Sequence, residues 1–450
     1  MKISMIGTGY VGLVSGACFA EFGVSVICVD KDVSKIENLK KGKIPIYEPG
    51  LEMLVQTNVA KNRLSFTTDL ATAVKESDVV FIAVGTPMSE TGEADLTYVF
   101  EAAKEIAHNM AGYTVIVTKS TVPVDTGMKL AAYIREINPQ ADFDIVSNPE
   151  FLREGSAIED FMRPNRVVIG SNSEKATEIM RRLYRPLYLL ETPIVVTNLE
   201  TSELIKYASN AFLATKVAFI NEMADLCEKC GADIQAVSIG MGLDQRIGKK
   251  FLHAGPGYGG SCFPKDTLAL VRTAEKFKAP TQIVQSVVNS NNRRKKNMAL
   301  KIIEACGGSV RGKRIAILGL TFKPNTDDMR DAPSLDIVPA LQQAGAEIHA
   351  FDPEGMEEAK KLLTHIQWHP NSYAALEGTD AVAILTEWNE FRAIDMKRVQ
   401  TLMQNPLIID LRNIYDCQEL RQHGIHYVSI GRAPVNRDTE ETIHQKKYGT

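Results

Sequence analysis

A glycine-rich segment in the second half of the chain ends on a cysteine that charged residues closely follow. It reads Gly-Pro-Gly-Tyr-Gly-Gly-Ser-Cys-Phe-Pro-Lys-Asp over residues 255–266. Glycines let a loop pass close to a ligand, and a nearby cation such as Lys265 favours the thiolate, the nucleophilic form of a cysteine. A structural cysteine buried in a glycine turn is the alternative, but the density of glycine and charge favours a reactive Cys262.

A lysine and an amide lie four residues apart in an apolar stretch upstream. Lys206 and Asn210 belong to residues 200–230, which contain neither proline nor glycine and end before Gly231. The stretch predicts one long helix, on which side chains four residues apart point the same way. The two side chains either face a site or form part of a solvated stripe, and the spacing leaves both interpretations open.

Large apolar residues occupy more than one side of this predicted helix, so we expect it to be buried on several sides. They are Leu204, Phe212, Val217, Phe219, Met223 and Leu226. A long helix between two α/β units is well placed to be a spine and a dimer interface. A buried helix within a monomer is the alternative.

A glycine pattern near the N-terminus predicts a dinucleotide site. Gly7-Thr8-Gly9-Tyr10-Val11-Gly12 follows an apolar strand and opens a helix, which is the context that gives this pattern its meaning. Gly7 allows a tight turn, Gly9 lets the backbone approach a pyrophosphate, and Gly12 lets the helix pack closely on the strand. The N-terminus of the helix then faces the phosphate charge.

An acidic residue ends the next predicted strand. Asp30 lies eighteen positions after Gly12, where a carboxylate accepts hydrogen bonds from the adenosine ribose hydroxyls. The same charge repels a 2′-phosphate, so the predicted cofactor is NAD rather than NADP, although Lys31 and Lys35 lie close by.

Short apolar strands alternate with helical segments over residues 1–197 and again from about residue 311, which predicts mainly parallel sheets covered on both faces. The predicted fold class is therefore α/β, with two doubly wound Rossmann-like domains joined by a long central helix. We expect an NAD-binding domain at 1–197, a central helical domain at 198–297, a C-terminal Rossmann-like domain at 298–436 and a loose tail at 437–450. The predicted strands are Ile3–Ile6, Ser25–Val29, Val79–Val84, Thr114–Val117, Ile145–Val146, Val167–Ile169, Ile194–Val196, Arg314–Leu318, Glu347–Phe351, Ala381–Leu385, Leu407–Ile409 and Tyr427–Ile430.

Polar loops follow several of these strands at their carboxyl ends, where open α/β sheets bind ligands. Residues 85–87, 118–121 and 147–155 place hydroxyls and carboxylates along one edge of the cofactor cleft. The C-terminal Rossmann-like domain lacks the glycine pattern, so its expected ligand is a single nucleotide attached to the substrate. Lys323, in the loop after its first strand, could meet the phosphate of that nucleotide.

Composition excludes several classes of function. A net charge of −4 gives no global basic field for nucleic acid or an anionic membrane. No apolar run approaches the roughly 20 residues that span a bilayer, and the first residues do not resemble a signal peptide, so we expect a cytoplasmic protein. The seven cysteines are dispersed, and Cys227 and Cys230 lack a second pair of ligands, so we expect no disulfide framework and no metal site.

Taken in order, these segments resemble the UDP-glucose/GDP-mannose dehydrogenase family along nearly the whole chain. The matching segments are residues 7–12, 85–87, 119–123, 147–155, the region of Lys206 and Asn210, residues 259–266 and residues 319–324. Asp125, where the family often has glycine, and Asn165, where it often has aspartate, depart from the pattern outside the positions that carry chemistry.

The resemblance implies a four-electron oxidation of the C6 alcohol of UDP-glucose to a carboxylate, UDP-glucuronate, with two NAD used in turn. Cys262 would add to the intermediate aldehyde, and the resulting thiohemiacetal would be oxidised to a thioester that water releases. Lys206 and Asn210 would stabilise developing oxyanions. Asp266, Thr121 and Glu150 would hold or activate water.

The resemblance also implies which residues bind each ligand. The C-terminal domain would bind the uridine diphosphate, and a homodimer would let Arg246 reach the substrate of its partner. The implied NAD contacts are Gly7, Gly9, Tyr10, Val11, Gly12, Asp30, Lys35, Thr86, Ser120, Thr121, Glu154, Lys265 and Arg330. The implied substrate contacts are Glu150, Phe151, Leu152, Arg153, Glu154, Lys206, Asn210, Arg246, Phe251, Leu252, His253, Ala254, Gly255, Gly259 and Lys323.

Two other functions stay open at this point. Phe263 after the cysteine is more similar to the UDP-glucose branch, but GDP-mannose or another nucleotide sugar is an alternative substrate for the same chemistry. A non-catalytic NAD-binding scaffold is the alternative from another class, and it would leave Cys262, Lys206, Asn210 and Asp266 without a purpose.

Overall fold

The structure is a computed structural model that describes residues 1–89 and 91–435. The predicted tail at 437–450 therefore lies outside the described residues. The chain forms two compact units, the first made of Met1–Asn210 and Lys265–Thr281 and the second of Ala211–Pro264 and the residues from Gln282 onward. Each unit is thus assembled from separate stretches of the chain.

The first unit contains, within the described residues, one sheet of eight strands with the order β3-β2-β1-β4-β5-β6-β7-β8. All neighbouring strands run parallel except β6 and β7, which are antiparallel. The strands are β1 Lys2–Ile6, β2 Ser25–Val29, β3 Leu64–Thr67, β4 Val79–Ile82, β5 Thr114–Thr118, β6 Phe143–Ser147, β7 Val167–Ser171 and β8 Ile194–Thr197. The helices up to the end of the long helix are α1 Tyr10–Glu21, α2 Val33–Lys40, α3 Leu51–Ala60, α4 Leu70–Lys75, α5 Thr97–Asn109, α6 Thr126–Ile137, α7 Ala157–Met162, α8 Glu174–Leu183 and α9 Leu199–Cys230, with a 3₁₀ helix at Arg185–Leu190.

Both faces of this sheet are covered, because alternate residues of one strand enter different cores. Val79 and Phe81 of β4 belong to one hydrophobic core, and Val80 and Ile82 belong to the other. Successive side chains of a strand point to opposite faces, so a strand that is apolar throughout must be buried on both. This explains why the central strands are continuous apolar runs.

The second unit contains a parallel sheet with the order β11-β10-β9-β12-β13-β14 among the residues that the structure describes. The first six strands of the first sheet have the same order. The strand order therefore reverses at equivalent places, between β1 and β4 in the first sheet and between β9 and β12 in the second. The strands are β9 Arg314–Leu318, β10 Glu347–Phe351, β11 Ile366–Trp368, β12 Ala381–Ile384, β13 Leu407–Asp410 and β14 His426–Ser429. The remaining helices are α10 Ile234–Gly242, α11 Phe263–Lys276, α12 Gln282–Ala305, α13 Ser334–Gln343, α14 Met356–Leu362, α15 Ser372–Leu376, α16 Asn389–Arg392, α17 Met396–Leu402 and α18 Cys417–Gln422.

Helix α9 has the predicted length, but the expectation that its large apolar residues are buried on several sides is wrong. Phe212, Phe219 and Leu226 are 66%, 44% and 56% exposed. The buried side of the helix consists largely of small and polar residues such as Ala214 and Ala218, with Tyr207 and Ile220 as large buried side chains among them. Small side chains let the helix backbone lie close to the elements against which it packs, and the exposed apolar side chains point away from those elements.

The structure differs from the predicted elements at other places too. Strands β3 and β11 were not predicted, and α12 continues to Ala305, beyond the end of the expected helical domain at 297. Cys227 is buried and Cys230 exposed, so the two cysteines do not share one environment. Among the described residues, no helix combines the length and hydropathy that crossing a bilayer requires.

Candidate active site and nucleotide sites

The glycine turn after β1 has the geometry that its three glycines require. Gly7 has a φ of +98°, and a Cβ there would lie 2.6 Å from the Ala83 carbonyl oxygen. A Cβ on Gly12 would lie 1.9 Å from the Gly7 carbonyl oxygen, whereas a Cβ on Gly9 would meet nothing within 4 Å. Gly7 and Gly12 are therefore required for packing, and Gly9 leaves open space at the start of α1. That space is where a pyrophosphate approaches the backbone in Rossmann folds.

The Asp30 carboxylate supports this turn from the end of β2. Its Oδ2 accepts hydrogen bonds from Thr8 N at 2.9 Å and Thr8 Oγ1 at 2.6 Å, and from Lys35 Nζ at 3.1 Å. Burial alone would raise the pKa of Asp30, but the hydrogen bonds from Thr8 outweigh burial and hold the pKa below its ordinary value. Asp30 is therefore ionised, and Lys35 is its ion-pair partner rather than a free cation that could attract a 2′-phosphate.

The loops after β4 and β5 are tied to each other beside the turn. Thr86 Oγ1 donates to the Thr121 carbonyl oxygen at 3.0 Å, and Ser120 Oγ donates to the Val84 carbonyl oxygen at 2.7 Å. The structure thus brings together three of the residues assigned to the cofactor and fixes them at the carboxyl edge of the sheet. Thr121 is half-buried, while Thr86 and Ser120 are buried.

Lys206 and Asn210 are both buried, which excludes the solvated stripe. Lys206 Nζ lies 2.9 Å from Glu150 Oε1, and both side chains are at most 5% exposed. Asn210 Nδ2 donates to Asp266 Oδ2 at 2.6 Å, and Lys265 Nζ donates to Asp266 Oδ1 at 2.8 Å. Helix α9 therefore places two polar side chains against two carboxylates, one from the loop after β6 and one from α11.

The charge state of Glu150 follows from these contacts. Burial alone would raise its pKa, but the Lys206 ammonium, hydrogen bonds and Lys119 hold the pKa of Glu150 below its ordinary value. A buried carboxylate beside an ammonium is stable only because each charge compensates the other. Glu150 is therefore an anion that can accept a hydrogen bond from water or from a substrate hydroxyl.

The loop that follows Glu150 is held in place by a residue that the sequence did not indicate. The Glu48 carboxylate accepts hydrogen bonds from Gly155 N at 2.6 Å and Ala157 N at 2.8 Å, and also from the Tyr10 hydroxyl. Because Tyr10 is the first residue of α1, these contacts connect the nucleotide turn to the loop at 150–155. The signal available in the sequence was one acidic residue in a proline- and glycine-bounded stretch, which is too common to interpret.

Other residues of this loop have internal partners. The Phe151 ring lies 3.5 Å from the Arg166 guanidinium, and Arg153 forms an ion pair with Asp160 at 2.6 Å. Leu152 is half-buried, and Glu154 belongs to the same loop. The side chains of Phe151 and Arg153 are therefore held by residues that follow the loop in the chain. The loop backbone and the Glu150 carboxylate are left available to a ligand.

Cys262 lies in the second unit, at the end of the glycine loop and directly before α11. Its side chain is partly exposed, and Sγ lies 3.5 Å from Ser261 Oγ. A cysteine at a helix N-terminus is where the helix dipole favours a thiolate.

The glycines before Cys262 are needed for packing more than for ligand approach. A Cβ on Gly259 would lie 2.3 Å from the Asp331 carbonyl oxygen, and one on Gly260 would lie 2.7 Å from the Phe322 ring. Both contacts are to the segment after β9. The glycine loop that leads to Cys262 therefore packs against the C-terminal Rossmann-like domain, which was expected to bind a nucleotide.

The carboxyl edge of the second sheet repeats the turn of the first, with one change. Gly319 has a φ of +85°, and Asp352 at the end of β10 accepts hydrogen bonds from Leu320 N at 2.6 Å and Thr321 N at 3.1 Å. This corresponds to Gly7, Thr8 and Asp30. Here, however, no helix follows the turn directly, since α13 begins only at Ser334. The helix N-terminus that faces a pyrophosphate in the first unit thus has no equivalent, which fits a ligand other than a dinucleotide.

Arg412 is a second residue that was not predicted from the sequence. It follows β13 and donates from Nη2 to the Phe322 carbonyl oxygen at 3.0 Å and from Nε to the Leu385 carbonyl oxygen at 2.7 Å. The ring nitrogen Nε2 of His253 lies 2.8 Å from the Arg412 carbonyl oxygen. Lys323 Nζ lies 5.1 Å from the centre of the Phe322 ring. An arginine just after a predicted strand beside the strand-order reversal was the signal that could have identified Arg412.

The remaining predicted substrate and cofactor residues of the second unit have varied surroundings. Arg246 is 89% exposed and paired with Asp244, and Arg330 is paired with Asp328 at 2.8 Å. Leu252 and Ala254 are buried in the hydrophobic core, so only their backbone is available to a ligand. Phe251 has a φ of +64°, and the Gly255 amide donates to the buried Asn221.

The chain combines three features: an open glycine turn backed by an acid, a cluster of buried lysine, amide and carboxylates, and a second nucleotide-type sheet. Together these features define a class of two-domain, NAD-dependent dehydrogenases. Within that class, models of the UDP-glucose/GDP-mannose dehydrogenase family match the chain over its NAD-binding domain at residues 1–188, its central domain at 200–293 and its UDP-binding domain at 316–417. The chain therefore belongs to this family, and the predicted family and fold class are confirmed.

Similar proteins support the same assignment. The chain is 61% identical to UDP-glucose 6-dehydrogenase of Rhizobium meliloti (strain 1021), over 96% of this chain and 100% of that protein. It is 52% identical to UDP-glucose 6-dehydrogenase TuaD of Bacillus subtilis (strain 168), over 98% of this chain and 95% of that protein. Among solved structures, a UDP-glucose dehydrogenase from Pyrobaculum islandicum superposes with a TM-score of 0.87 at 37% identity, covering 93% of this chain and 95% of the other.

Proposed function

We propose that this chain oxidises UDP-glucose to UDP-glucuronate in two successive steps, each of which reduces one NAD. The observation that carries the proposal is the pairing of Lys206 with Glu150 and of Asn210 with Asp266 in the interior of a unit that also holds an open dinucleotide turn. Buried charges are costly unless they are paired, and clusters of such groups are typical of functional sites. The high identity to UDP-glucose 6-dehydrogenases over the full chain supports this substrate over GDP-mannose.

The chemistry divides between the residues as follows. In the first oxidation the C6 hydroxyl loses a proton and C6 loses a hydride, which gives an aldehyde. The Cys262 thiolate then adds to the aldehyde carbon and forms a thiohemiacetal, and removal of a second hydride from that carbon gives a thioester. Attack by water breaks the C–S bond and releases the carboxylate and the thiol. NAD supplies the hydride acceptor in both oxidations.

Lys206 and Asn210 stabilise the negative oxygen that forms on C6 at each stage. An amide nitrogen carries two N–H donors, and Asn210 directs one of them at Asp266. This contact fixes the orientation of the amide before the substrate oxygen develops charge, which is how preorganised donors lower a barrier. The carboxyl groups of Glu150 and Asp266 hold the attacking water.

The experiment that tests this function measures the NADH formed for each UDP-glucose consumed. We expect two NADH per sugar and UDP-glucuronate as the product, with much lower turnover of GDP-mannose under the same conditions. One NADH per sugar with release of an aldehyde, or preference for GDP-mannose, would contradict the proposal. A protein that binds NAD without forming NADH from any nucleotide sugar would instead be a scaffold.

The C-terminal sheet provides the site for the uridine diphosphate of the substrate. Its turn keeps the backing acid but lacks a helix directly after the glycine, and Lys323 and Arg412 supply positive charge nearby. Lys323→Ala should raise the KM for UDP-glucose at least about tenfold, because a charge-assisted phosphate contact is worth about 1.5–3 kcal/mol, and it should leave the KM for NAD unchanged. Lys361→Ala, an exposed lysine of the same unit, is the control, and a larger effect on NAD than on UDP-glucose would refute the assignment.

The protein acts as a homodimer in this proposal, with the exposed apolar face of α9 in the interface. Phe212, Phe219 and Leu226 are spaced seven residues apart and so share one side of the helix. Exposed apolar patches of this kind mark interaction surfaces. The exposed Arg246 is then available to reach the substrate of the partner.

A further inference from the structure

Lys119, at the carboxyl end of β5, is a buried lysine to which the proposed mechanism assigns no role. It is 3% exposed. Its Nζ lies 3.1 Å from Asn148 Oδ1, 3.4 Å from the Asn148 carbonyl oxygen and 3.4 Å from the Tyr184 hydroxyl. Each of these partners is uncharged, and within residues 1–89 and 91–435 no carboxylate lies at ion-pair distance from this ammonium. A lysine buried without a counter-ion in contact is unusual, because desolvation of the ammonium is not repaid locally.

The surroundings of Lys119 lead to the Glu150–Lys206 pair. Asn148 is two residues before Glu150, and its amide accepts from the Tyr184 hydroxyl at 2.6 Å and donates to the Val168 carbonyl oxygen at 2.7 Å. This network fixes the backbone from which the Glu150 side chain extends. It also places the ammonium of Lys119 beside Glu150 without direct contact.

A small cavity lies beside these groups. It has a volume of about 40 Å³, which is sufficient for a water molecule, and Lys119, Glu150, Arg166, Asp160 and Tyr184 are among the residues that line it. The charged groups that face Lys119 are thus Glu150 and Lys206, with Arg166 and Asp160 at the cavity. Burial lowers the pKa of Lys119 to about 8, with Glu150 acting to raise it and Lys206 to lower it. The charge of Lys119 therefore changes within the range of pH in which enzymes are assayed.

We propose that Lys119 is a positioning residue that keeps Glu150 ionised and correctly oriented when the Lys206 ammonium turns to the oxygen on C6 of the substrate. Lys206 is the only ion-pair partner of Glu150 among the residues that the structure describes, so a shift of the Lys206 proton toward substrate would weaken the support of Glu150. The positive charge of Lys119 continues to stabilise the ionised Glu150 carboxylate, and the hydrogen bonds from Lys119 to Asn148 hold the loop in place. The proposal rests on the proposed function of this same site.

The first test compares Lys119→Met with the intact protein and with the control Lys104→Met, an exposed lysine of α5. Removal of the Lys119 charge should raise the pKa of Glu150, so the acidic limb of the profile of kcat against pH should move upward by about one pH unit. The KM for NAD should not change. An unchanged acidic limb in a folded Lys119→Met protein would overturn the proposal, as would an equal loss of NAD binding.

A second measurement does not depend on which substrate is used. The infrared carboxyl band of Glu150, identified by subtraction of the spectrum of Glu150→Gln, should titrate at higher pH in Lys119→Met than in the intact protein. If the intact protein does not oxidise UDP-glucose, the proposed function fails, but this band still decides whether Lys119 controls Glu150. A band that titrates identically in both proteins would reject the role of Lys119.

Tyr184→Phe decides the question if Lys119→Met does not fold. It removes one hydrogen-bond acceptor of the Lys119 ammonium and leaves the charge in place, so the charged form is less stabilised and the pKa of Lys119 should fall. The alkaline limb of the pH profile, which we expect where Lys119 loses its charge, should then move to lower pH. An alkaline limb that stays in place in Tyr184→Phe would contradict the proposal.

Discussion

Cys262 differs from the buried cysteines Cys18, Cys28 and Cys306 in where the backbone places it. Burial raises the pKa of the Cys18 and Cys28 thiols to about 12 and that of Cys306 to about 11. These thiols stay protonated at neutral pH and are poor nucleophiles. Cys262 is partly exposed and directly precedes a helix, so it has the surroundings of a reactive thiol.

Replacement of Cys262 should separate the two oxidations. Cys262→Ala should lose at least about a thousandfold in the four-electron reaction, because a covalent adduct is required before the second hydride can leave, while a slow first oxidation to the aldehyde persists. Cys262→Ser should accumulate a covalent ester, because an alkoxide leaves less readily than a thiolate, and mass spectrometry after incubation with UDP-glucose and NAD would detect it. Cys417→Ala should behave like the intact protein. Two NADH per sugar at a normal rate from Cys262→Ala would favour hydration of a free aldehyde instead.

Asp30 should determine the choice of cofactor. Its carboxylate is ionised and braces the Thr8 turn, so Asp30→Ala removes both the acceptor for the ribose hydroxyls and the support of the turn. We expect the KM for NAD to rise about tenfold or more, from the roughly 1.5–3 kcal/mol of a hydrogen bond to a charged group. Asp32→Ala, which removes only the cap of α2, should leave the KM for NAD near its original value. Equal turnover of NAD and NADP by the intact protein would show that Asp30 does not select the cofactor.

At the level of elements, the central strands of both sheets could be predicted from the sequence, whereas the edge strands β3 and β11 could not. Strands β9 and β10 have the predicted bounds, because buried parallel strands are continuous apolar runs. Strands β3 and β11 are short edge strands in which polar residues alternate with apolar ones, and such segments do not differ from loops in composition. The burial of Lys206 could not be predicted, since spacing gives the relative direction of two side chains and not what they face.

The same limit applied to residues whose role depends on distant partners. Glu48 and Lys119 act through contacts with loops far away in the chain, and no local pattern signals such contacts. The glycine turn, by contrast, could be predicted in detail, because its geometry is determined by residues that are close in sequence. The inward side of α9 was predicted incorrectly for a related reason: periodicity identifies an apolar face but not whether the same chain covers it.

The departure at Asp125 from the glycine that is frequent in the family has a conformational consequence. Asp125 has a φ of +81° at the start of α6, a conformation that costs a non-glycine residue about 1–2 kcal/mol. Its ion pair with Lys129 at 3.0 Å returns roughly 0.3–0.5 kcal/mol, and glycine would lose about 0.5–1 kcal/mol of chain entropy.

These opposing contributions nearly cancel for glycine. Asp125→Gly should therefore change the free energy of unfolding by no more than about 1 kcal/mol, whereas Asp125→Val should destabilise the protein by more than the glycine variant does, because it loses the ion pair with Lys129 and its branched side chain is more strained than aspartate at positive φ. Urea unfolding monitored by circular dichroism measures both changes. Equal destabilisation by glycine and valine would show that the Asp125 side chain, and not its backbone conformation, matters most.

At the scale of the molecule, two sheets of the same strand order are used for different ligands. Each has a glycine with positive φ after its first strand and an acid at the end of its second strand. Only the first has a helix directly after the turn. The strand order therefore provides a crevice, and the segment after the turn determines which nucleotide can occupy it.

The exposed face of α9 should determine the state of assembly. Phe212→Asp combined with Phe219→Asp should convert the proposed dimer to a monomer, because charges at the centre of an apolar interface lose their water without gaining a partner. Light scattering after size exclusion measures the mass. Leu362→Asp, which places the same charge on an exposed apolar position of α14, should leave the dimer intact. A dimer that survives the double substitution would place the interface elsewhere.

The discontinuous first unit has a consequence for the order in which the protein can be completed during synthesis. Residues Met1–Asn210 emerge first from the ribosome, but the unit also needs Lys265–Thr281. Asp266, the partner of Asn210, is made 56 residues later, which at about 5–20 residues per second corresponds to a delay of roughly 3–11 seconds. During that time the nucleotide turn and its sheet can form, while Asn210 has no acid to orient it. A nascent chain thus completes its nucleotide turn and the Lys206–Glu150 pair before the Asn210–Asp266 pair exists, and the reaction cannot begin until the translation of α11 is complete.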